Sequence, residues 1–76
     1  MLQAFDYSKL RGRIVEKYGN MSAFAEAAGI TKVSLSLKLN NKLSITKNDI
    51  VNWSELLDIS LEDMGAFYFV KKFNDV

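Results

Sequence analysis

Residues 24–42 of the chain read FAEAAGITKVSLSLKLNNK, and the division of this stretch at Gly29 decides the fold. Before the glycine, Phe24 and closely spaced alanines are typical of a short helix with a small apolar face. After it, leucines recur, and Thr31 can cap a helix by accepting a hydrogen bond from a backbone amide. The stretch therefore predicts two short helices joined by a glycine turn.

The part that follows Thr31 also has a competing interpretation as a β-hairpin. Residues 33–45 can be divided into an alternating strand, a polar turn and a return strand, and their periodicity alone favours the hairpin. The cap at Thr31 and the hydrophobic-staple spacing of Ile30 and Leu35 favour a helix. Leucine and lysine also have little preference for strands. We therefore expect a helix over residues 32–40.

Polar residues suited to helix starts recur along the whole chain. Each can accept hydrogen bonds from backbone amides that have no partner inside the helix, and the five candidates are Asp6, Asn20, Thr31, Thr46 and Ser60. The pattern predicts five helices, over residues 7–18, 21–28, 32–40, 47–57 and from 61 onward. We expect the fifth helix to bury Leu61 and Met64.

Length and composition restrict the possible classes of protein. Seventy-six residues make one small domain, and the absence of cysteine and histidine removes the commonest metal ligands and catalytic groups. We expect no cofactor, no metal, no small-molecule substrate and no enzymatic activity. No signal peptide or membrane-spanning stretch is present in the sequence, so we expect a cytoplasmic protein without a membrane partner.

Charge is distributed unevenly along the chain. Residues 1–47 hold eight basic and three acidic side chains, whereas residues 48–76 hold two basic and six acidic ones. A polyanion should be attracted to the first part and repelled by the second.

The same residues resemble the helix-turn-helix superfamily of phage Cro proteins and phage repressors. The resemblance lies in Ala25, in residues 29–31 (GIT) and in residues 35–42 (LSLKLNNK), and residues 5–14 are similar to a small group of Cro-like phage regulators. It implies an all-α fold, a compact five-helix lambda-repressor-like bundle. The whole of residues 1–76 would form one DNA-binding domain, with the helix-turn-helix at 21–40 and a short aromatic extension at about 66–76.

Three positions depart from the superfamily pattern. Met21 stands where a phosphate-binding glutamine is common, Leu37 where an arginine or glutamine often reads bases, and Asn41 where glycine is usual. Asparagine tolerates the left-handed conformation that glycine usually supplies. Leu37, in contrast, removes a polar group that would read base edges.

The resemblance implies that the helix over residues 32–40 enters the major groove of double-stranded DNA. The expected base contacts lie on its outer surface: Lys32, Val33, Ser34, Ser36 and Leu37. The expected phosphate contacts surround it: Asn20, Ser22, Lys38, Asn40, Asn41 and Lys42. An alternative is that Val33 and Leu37 are core or dimer contacts.

One such domain covers few base pairs, so we expect a homodimer on a palindromic operator. The aromatic end of the chain suggests Phe67, Phe69 and Phe73 as dimer contacts. The competing interpretation is that Phe67 and Phe69 close the core of the monomer.

The sequence therefore favours a transcriptional regulator of phage type, with repression favoured over activation. The main alternative is a helix-turn-helix module for protein contact, such as an antirepressor or antitoxin-like protein. An RNA-binding module and an enzyme are less favoured alternatives.

Overall fold

The computed structural model describes residues 4–71. Within that range the chain forms α1 (Ser8–Tyr18), α2 (Met21–Ala28), α3 (Lys32–Leu39), α4 (Lys47–Leu57), a 3₁₀ turn (Leu61–Asp63) and α5 (Met64–Tyr68). The prediction of an all-α fold with five helices is confirmed, and the hairpin interpretation of residues 33–45 is wrong. None of the helices in the described range is long and apolar enough to cross a membrane.

Side-chain caps begin three of the helices as the sequence predicts. The Asn20 side chain accepts from the amide of Ala23 at 2.8 Å, and Thr31 accepts from that of Ser34 at 3.0 Å. At the start of α4, the Thr46 side chain accepts from the Asp49 amide while the Asp49 carboxylate accepts from the Thr46 amide, which makes a capping box.

The other two predicted caps differ from expectation. α1 begins at Ser8, one residue later than predicted, and the Asp6 carboxylate accepts from the Ser8 amide at 2.9 Å. The Ser60 side chain caps no backbone amide and instead donates to the carboxylate of Asp63.

The core is formed by one cluster of apolar side chains from all five helices. Phe24 lies at its centre, with its ring edge-on to Trp53 at 5.6 Å and to Tyr18 at 5.4 Å between centroids. The buried members are Tyr7, Leu10, Ile14, Phe24, Ala25, Leu35, Leu39, Trp53, Leu57, Ile59, Phe67 and Tyr68. At the edge of α5, the Tyr68 hydroxyl shares a hydrogen bond with Ser54 at 3.1 Å.

The prediction that Leu61 is buried is wrong, because 82% of this residue is exposed. Leu61 lies in the 3₁₀ turn, and α5 begins only at Met64. The buried residues of this helix therefore come later in the sequence than Leu61. Phe67 and Tyr68 are both 2% exposed and belong to this helix. α5 ends at Tyr68, so Phe69, Val70 and Lys71 are the residues of the predicted extension that follow the last helix within the described range.

The N-terminal segment is held between two other parts of the chain. The Asp6 amide donates to the carbonyl of Val70 at 2.8 Å, beside an isolated bridge between Phe5 and Lys71. On the other side, Asn41 makes two hydrogen bonds of 2.9 Å with the amide and the carbonyl of Phe5. Asn41 has a φ of +61°, the left-handed conformation expected for it.

We predict that Asn41→Gly releases the N-terminal segment without disturbing the turn, because glycine adopts the left-handed conformation freely but has no side chain to bind Phe5. The free energy of unfolding should fall by about 1–3 kcal/mol. Amide hydrogen exchange should speed up by a larger factor at Phe5 than at Ile14, an amide in the middle of α1 that reports the change in global stability and serves as the internal control. A Phe5 amide as protected as in the wild type would contradict this role of Asn41.

Candidate nucleic-acid interface

The turn between α2 and α3 fixes how the two helices meet. Gly29 has a φ of +75°, where a residue with a Cβ atom would be strained, and its amide donates to the last turn of α2. The Ile30 amide donates to the carbonyl of Ala25 at 3.0 Å. Thr31 then leaves the turn in an extended conformation and caps α3. The result is a helix-turn-helix in which α3 packs on α2.

α3 has a buried face and an exposed face, as the sequence predicts. Leu35 and Leu39 point into the core, with 0% and 4% exposure. Val33 is 69% exposed and Leu37 37% exposed, so both apolar side chains stand on the outer surface and neither is a core residue. Lys32 is also exposed, at the first position of the helix.

The two serines of the predicted reading surface have partners within the helix. The Thr31 hydroxyl donates to the Ser34 hydroxyl oxygen at 3.1 Å, and Ser34 is half-buried. The Asn40 side-chain amide donates to the Ser36 hydroxyl oxygen at 3.3 Å, and Ser36 is exposed. Four of the five predicted base-contact residues are therefore exposed on α3, and Ser34 is the least accessible of them.

The predicted phosphate contacts fall into two groups. In the first, Ser22 and Lys42 are exposed. In the second, side chains have intramolecular partners. Asn20 is exposed as well, but its side chain accepts from the Ala23 amide, so it belongs to the second group. Asn40 accepts from the Arg11 guanidinium at 2.9 Å, and Asn41 binds the backbone of Phe5.

Lys38 belongs to the second group, because its ammonium group forms an ion pair with Asp49. Both side chains are about one-sixth exposed, at 15% and 16%, and the ammonium group also lies over the Trp53 ring, 5.9 Å from its centroid. The pair joins the last turn of α3 to the first turn of α4. A phosphate contact from Lys38 stays a prediction that would require this pair to open.

The ion pair also affects the acidity of Asp49. Burial by itself raises the pKa of this carboxyl group, but hydrogen bonds from Lys38 and Thr46 and the charge of Lys38 lower it. The net result is a pKa below the ordinary value for aspartate.

A second ion pair links the basic and acidic parts of the sequence. Lys17 pairs with Asp58, and the hydrogen bond and charge of Lys17 lower the pKa of that exposed carboxyl group. Two acids from residues 48–76 thus neutralise two lysines from residues 1–47. The fold therefore reduces the charge asymmetry that the sequence suggests, and within residues 4–71 Lys32 and Lys42 make no ion pair.

The three predicted dimer contacts are placed differently from one another. Phe67 is buried, and Lys9 and Arg13 lie over its ring at 4.8 and 5.1 Å from the centroid. It closes the core of the monomer, as the competing interpretation held. Phe69 is 56% exposed and available for contact, and Phe73 lies outside the described residues.

Comparison with known proteins agrees with the fold. The chain belongs to the family described as protein of unknown function (DUF739), which it matches over residues 3–71. It is similar to the solution structure of the modulator of repression (MOR) of the temperate bacteriophage TP901-1 from Lactococcus lactis. The identity is 35%, the match covers 86% of this chain and 88% of that one, and the TM-score is 0.77. No curated protein matches the sequence.

Two long-range contacts at this site were missed by sequence reasoning. Lys38 and Asp49 are eleven residues apart on different helices, and Asn41 and Phe5 are separated by thirty-six. No spacing pattern links such pairs, because each partner is reached only after the helices have packed. The sole sequence signal was Asn41 itself, at a position where glycine is usual.

We predict that Lys38→Met reduces the free energy of unfolding at neutral pH by about 1 kcal/mol, as expected for a partly buried ion pair. Because the folded pKa of Asp49 is lowered, the contribution of the pair is complete above about pH 3.9, the unfolded value, and is lost as the pH falls through the folded value. The variant should therefore lose less stability than the wild type on acidification.

Urea unfolding at about pH 6 and pH 3, followed by the fluorescence of the single tryptophan, Trp53, measures this difference. Lys42→Met is the matched control, because Lys42 has no ion pair within the described residues. If acidification lowered the free energy of unfolding equally in the two variants, the Lys38–Asp49 pair would make no contribution to stability.

Proposed function

We propose that this protein regulates repression of phage type by binding operator DNA as a dimer, with residues 1–76 acting as one helix-turn-helix domain. The observation that carries the proposal is the division of α3 into two faces. Leu35 and Leu39 anchor the helix in the core, while Lys32, Val33 and Leu37 stand on the surface. A helix anchored in this way can enter a major groove without disturbing the bundle.

The N-terminal end of α3 offers the groups that would read bases. Lys32 can donate to O6 and N7 of guanine, and the exposed Ser36 can donate to or accept from a base edge. Val33 and Leu37 can pack on thymine methyl groups. Ser34 would contribute less, since it is half-buried and its hydroxyl has a partner in Thr31.

Phosphate contacts would come from both sides of α3. Lys42 follows the helix, and the amides at the start of α2 lie behind the Asn20 cap, close to the exposed Ser22. Within residues 4–71, Lys42 is the one unpaired lysine among the proposed phosphate contacts, so we expect a salt slope of about −1 per half-site, shallow for a DNA-binding protein. Two copies would bind half-sites about 34 Å apart.

The similarity to a phage modulator of repression supports the regulatory role. It also favours a second candidate function, in which the outer face of α3 binds a protein of the repression system instead of DNA. Val33 and Leu37 are four residues apart and exposed together, and apolar side chains of this kind are typical of protein contacts. Pairing of Lys38 with Asp49 points the same way, because it lowers the charge available for phosphates.

We predict that Lys32→Ala changes sequence preference, because Lys32 is the one lysine among the proposed base contacts, whereas Lys42→Ala weakens binding to all duplexes similarly. Selection of bound duplexes from a random pool at two salt concentrations gives the preferred operator. Fluorescence anisotropy on that operator and on a scrambled duplex then compares the variants.

Lys17→Ala is the control for this experiment, since it removes one positive charge from a lysine that is paired with Asp58 at another part of the fold. If Lys32→Ala lost the same affinity for both duplexes, Lys32 would take no part in reading the base sequence. Absence of binding to any duplex, together with Val33-dependent binding to a purified phage repressor, would establish the second candidate.

A further inference from the structure

A groove of about 240 Å³ opens beside the turn that follows α3. Its apolar wall consists of Phe5, Leu43, Ile45, Ile50 and Phe69, with Tyr7 also lining it. Leu43 is 47% exposed and Phe69 56% exposed, so the rim is apolar as well. The volume is below the range of about 300–1,000 Å³ that is usual for small-molecule sites, and it suits one or two inserted side chains better.

The charged residues at this groove are basic. Lys42 is exposed and forms part of the lining, which includes no acidic side chain. Lys71 forms a bridge with Phe5, and residues paired across an antiparallel bridge point their side chains to the same face. Lys71 is exposed, and its side chain is therefore on the same face of this bridge as Phe5, which lines the groove. A partner should combine an apolar side chain with flanking acids.

The chain itself carries such a feature. Leu61 is the most exposed large apolar residue of the described range, at 82%. It is followed by Glu62 and Asp63, both exposed, and neither makes an ion pair within residues 4–71. This knob, residues 61–63, sits on a 3₁₀ turn that holds it away from the core.

We propose that the protein self-associates by inserting Leu61 of one copy into this groove of a second copy, with Glu62 and Asp63 facing Lys42 and Lys71. The groove offers apolar surface to the leucine side chain, and the charges of the two surfaces are opposite. Contact of groove with groove would bring lysines together, and contact of knob with knob would bring carboxylates together, so both like-with-like arrangements are disfavoured.

In this assembly the exposed Phe69 forms part of the groove wall, and the buried Phe67 takes no part in the contact. It rests on the two surfaces and not on DNA binding. A two-fold arrangement would make the knob-in-groove contact twice, once in each direction, and close a dimer; an arrangement without that symmetry would add further copies. Either assembly depends on the same residues.

Sedimentation velocity of the full chain, without DNA, tests the inference over roughly 10–500 µM, where contacts of this size are populated. We expect association that increases with concentration in the wild type. Leu61→Asp should weaken it at least about tenfold, because the substitution removes the inserted side chain. Val51→Asp is the control: Val51 is 51% exposed but belongs to neither surface, so the variant should associate like the wild type.

A charge exchange provides the decisive measurement. Lys42→Glu and Glu62→Lys should each weaken association, and the double variant should recover part of it, because the opposite charges are restored in reversed order. Circular dichroism establishes that each variant is folded. A wild type that stays monomeric throughout, or association unaffected by Leu61→Asp, would overturn the proposal. Neither result affects the comparison of Lys32→Ala with the wild type on the two duplexes, because that experiment measures the sequence preference of DNA binding.

Discussion

Anchoring of α3 in the core is the constraint on which the site depends. Leu35 and Leu39 are buried in the cluster that has Phe24 and Trp53 at its centre. Because residues four apart on a helix share a face, burying this pair forces Val33 outward. A rotation of α3 that exposed Leu35 would sacrifice about 1.5–3 kcal/mol of apolar burial, so the face offered to a partner is set by the core.

Polar side chains around α3 are used mainly to hold the bundle together. Lys38 reaches α4 through Asp49, Asn40 accepts from Arg11 of α1, and Asn41 binds the N-terminal segment. These contacts tie α1, α4 and the N-terminal segment to the helix-turn-helix. They also reduce the number of charged side chains around α3 that have no ion-pair partner within the described residues.

The elements of the fold could be predicted because their determinants are local. A cap such as Thr31 acts on the amide three residues later, and Gly29 ends its helix through its own backbone conformation. The hairpin interpretation of residues 33–45 failed since it relied on periodicity alone. A capped helix with two leucines buried against α2 outweighs an alternating pattern that has no second strand to pair with in the described range.

Sequence alone thus determined where α2, α3 and α4 begin and which residues of α3 face outward, because hydrogen bonds and side-chain spacing within one turn of helix decide both. Tertiary structure alone decided the partners of Lys38 and Asn41 and the exposure of Leu61. Each depends on the distance between segments that are far apart in the chain, and that distance is fixed only when the helices pack. The 3₁₀ turn is the clearest example: Leu61 follows a good helix-start signal, yet it is exposed on that turn, and Phe67 and Tyr68 of α5 are the residues that reach the core.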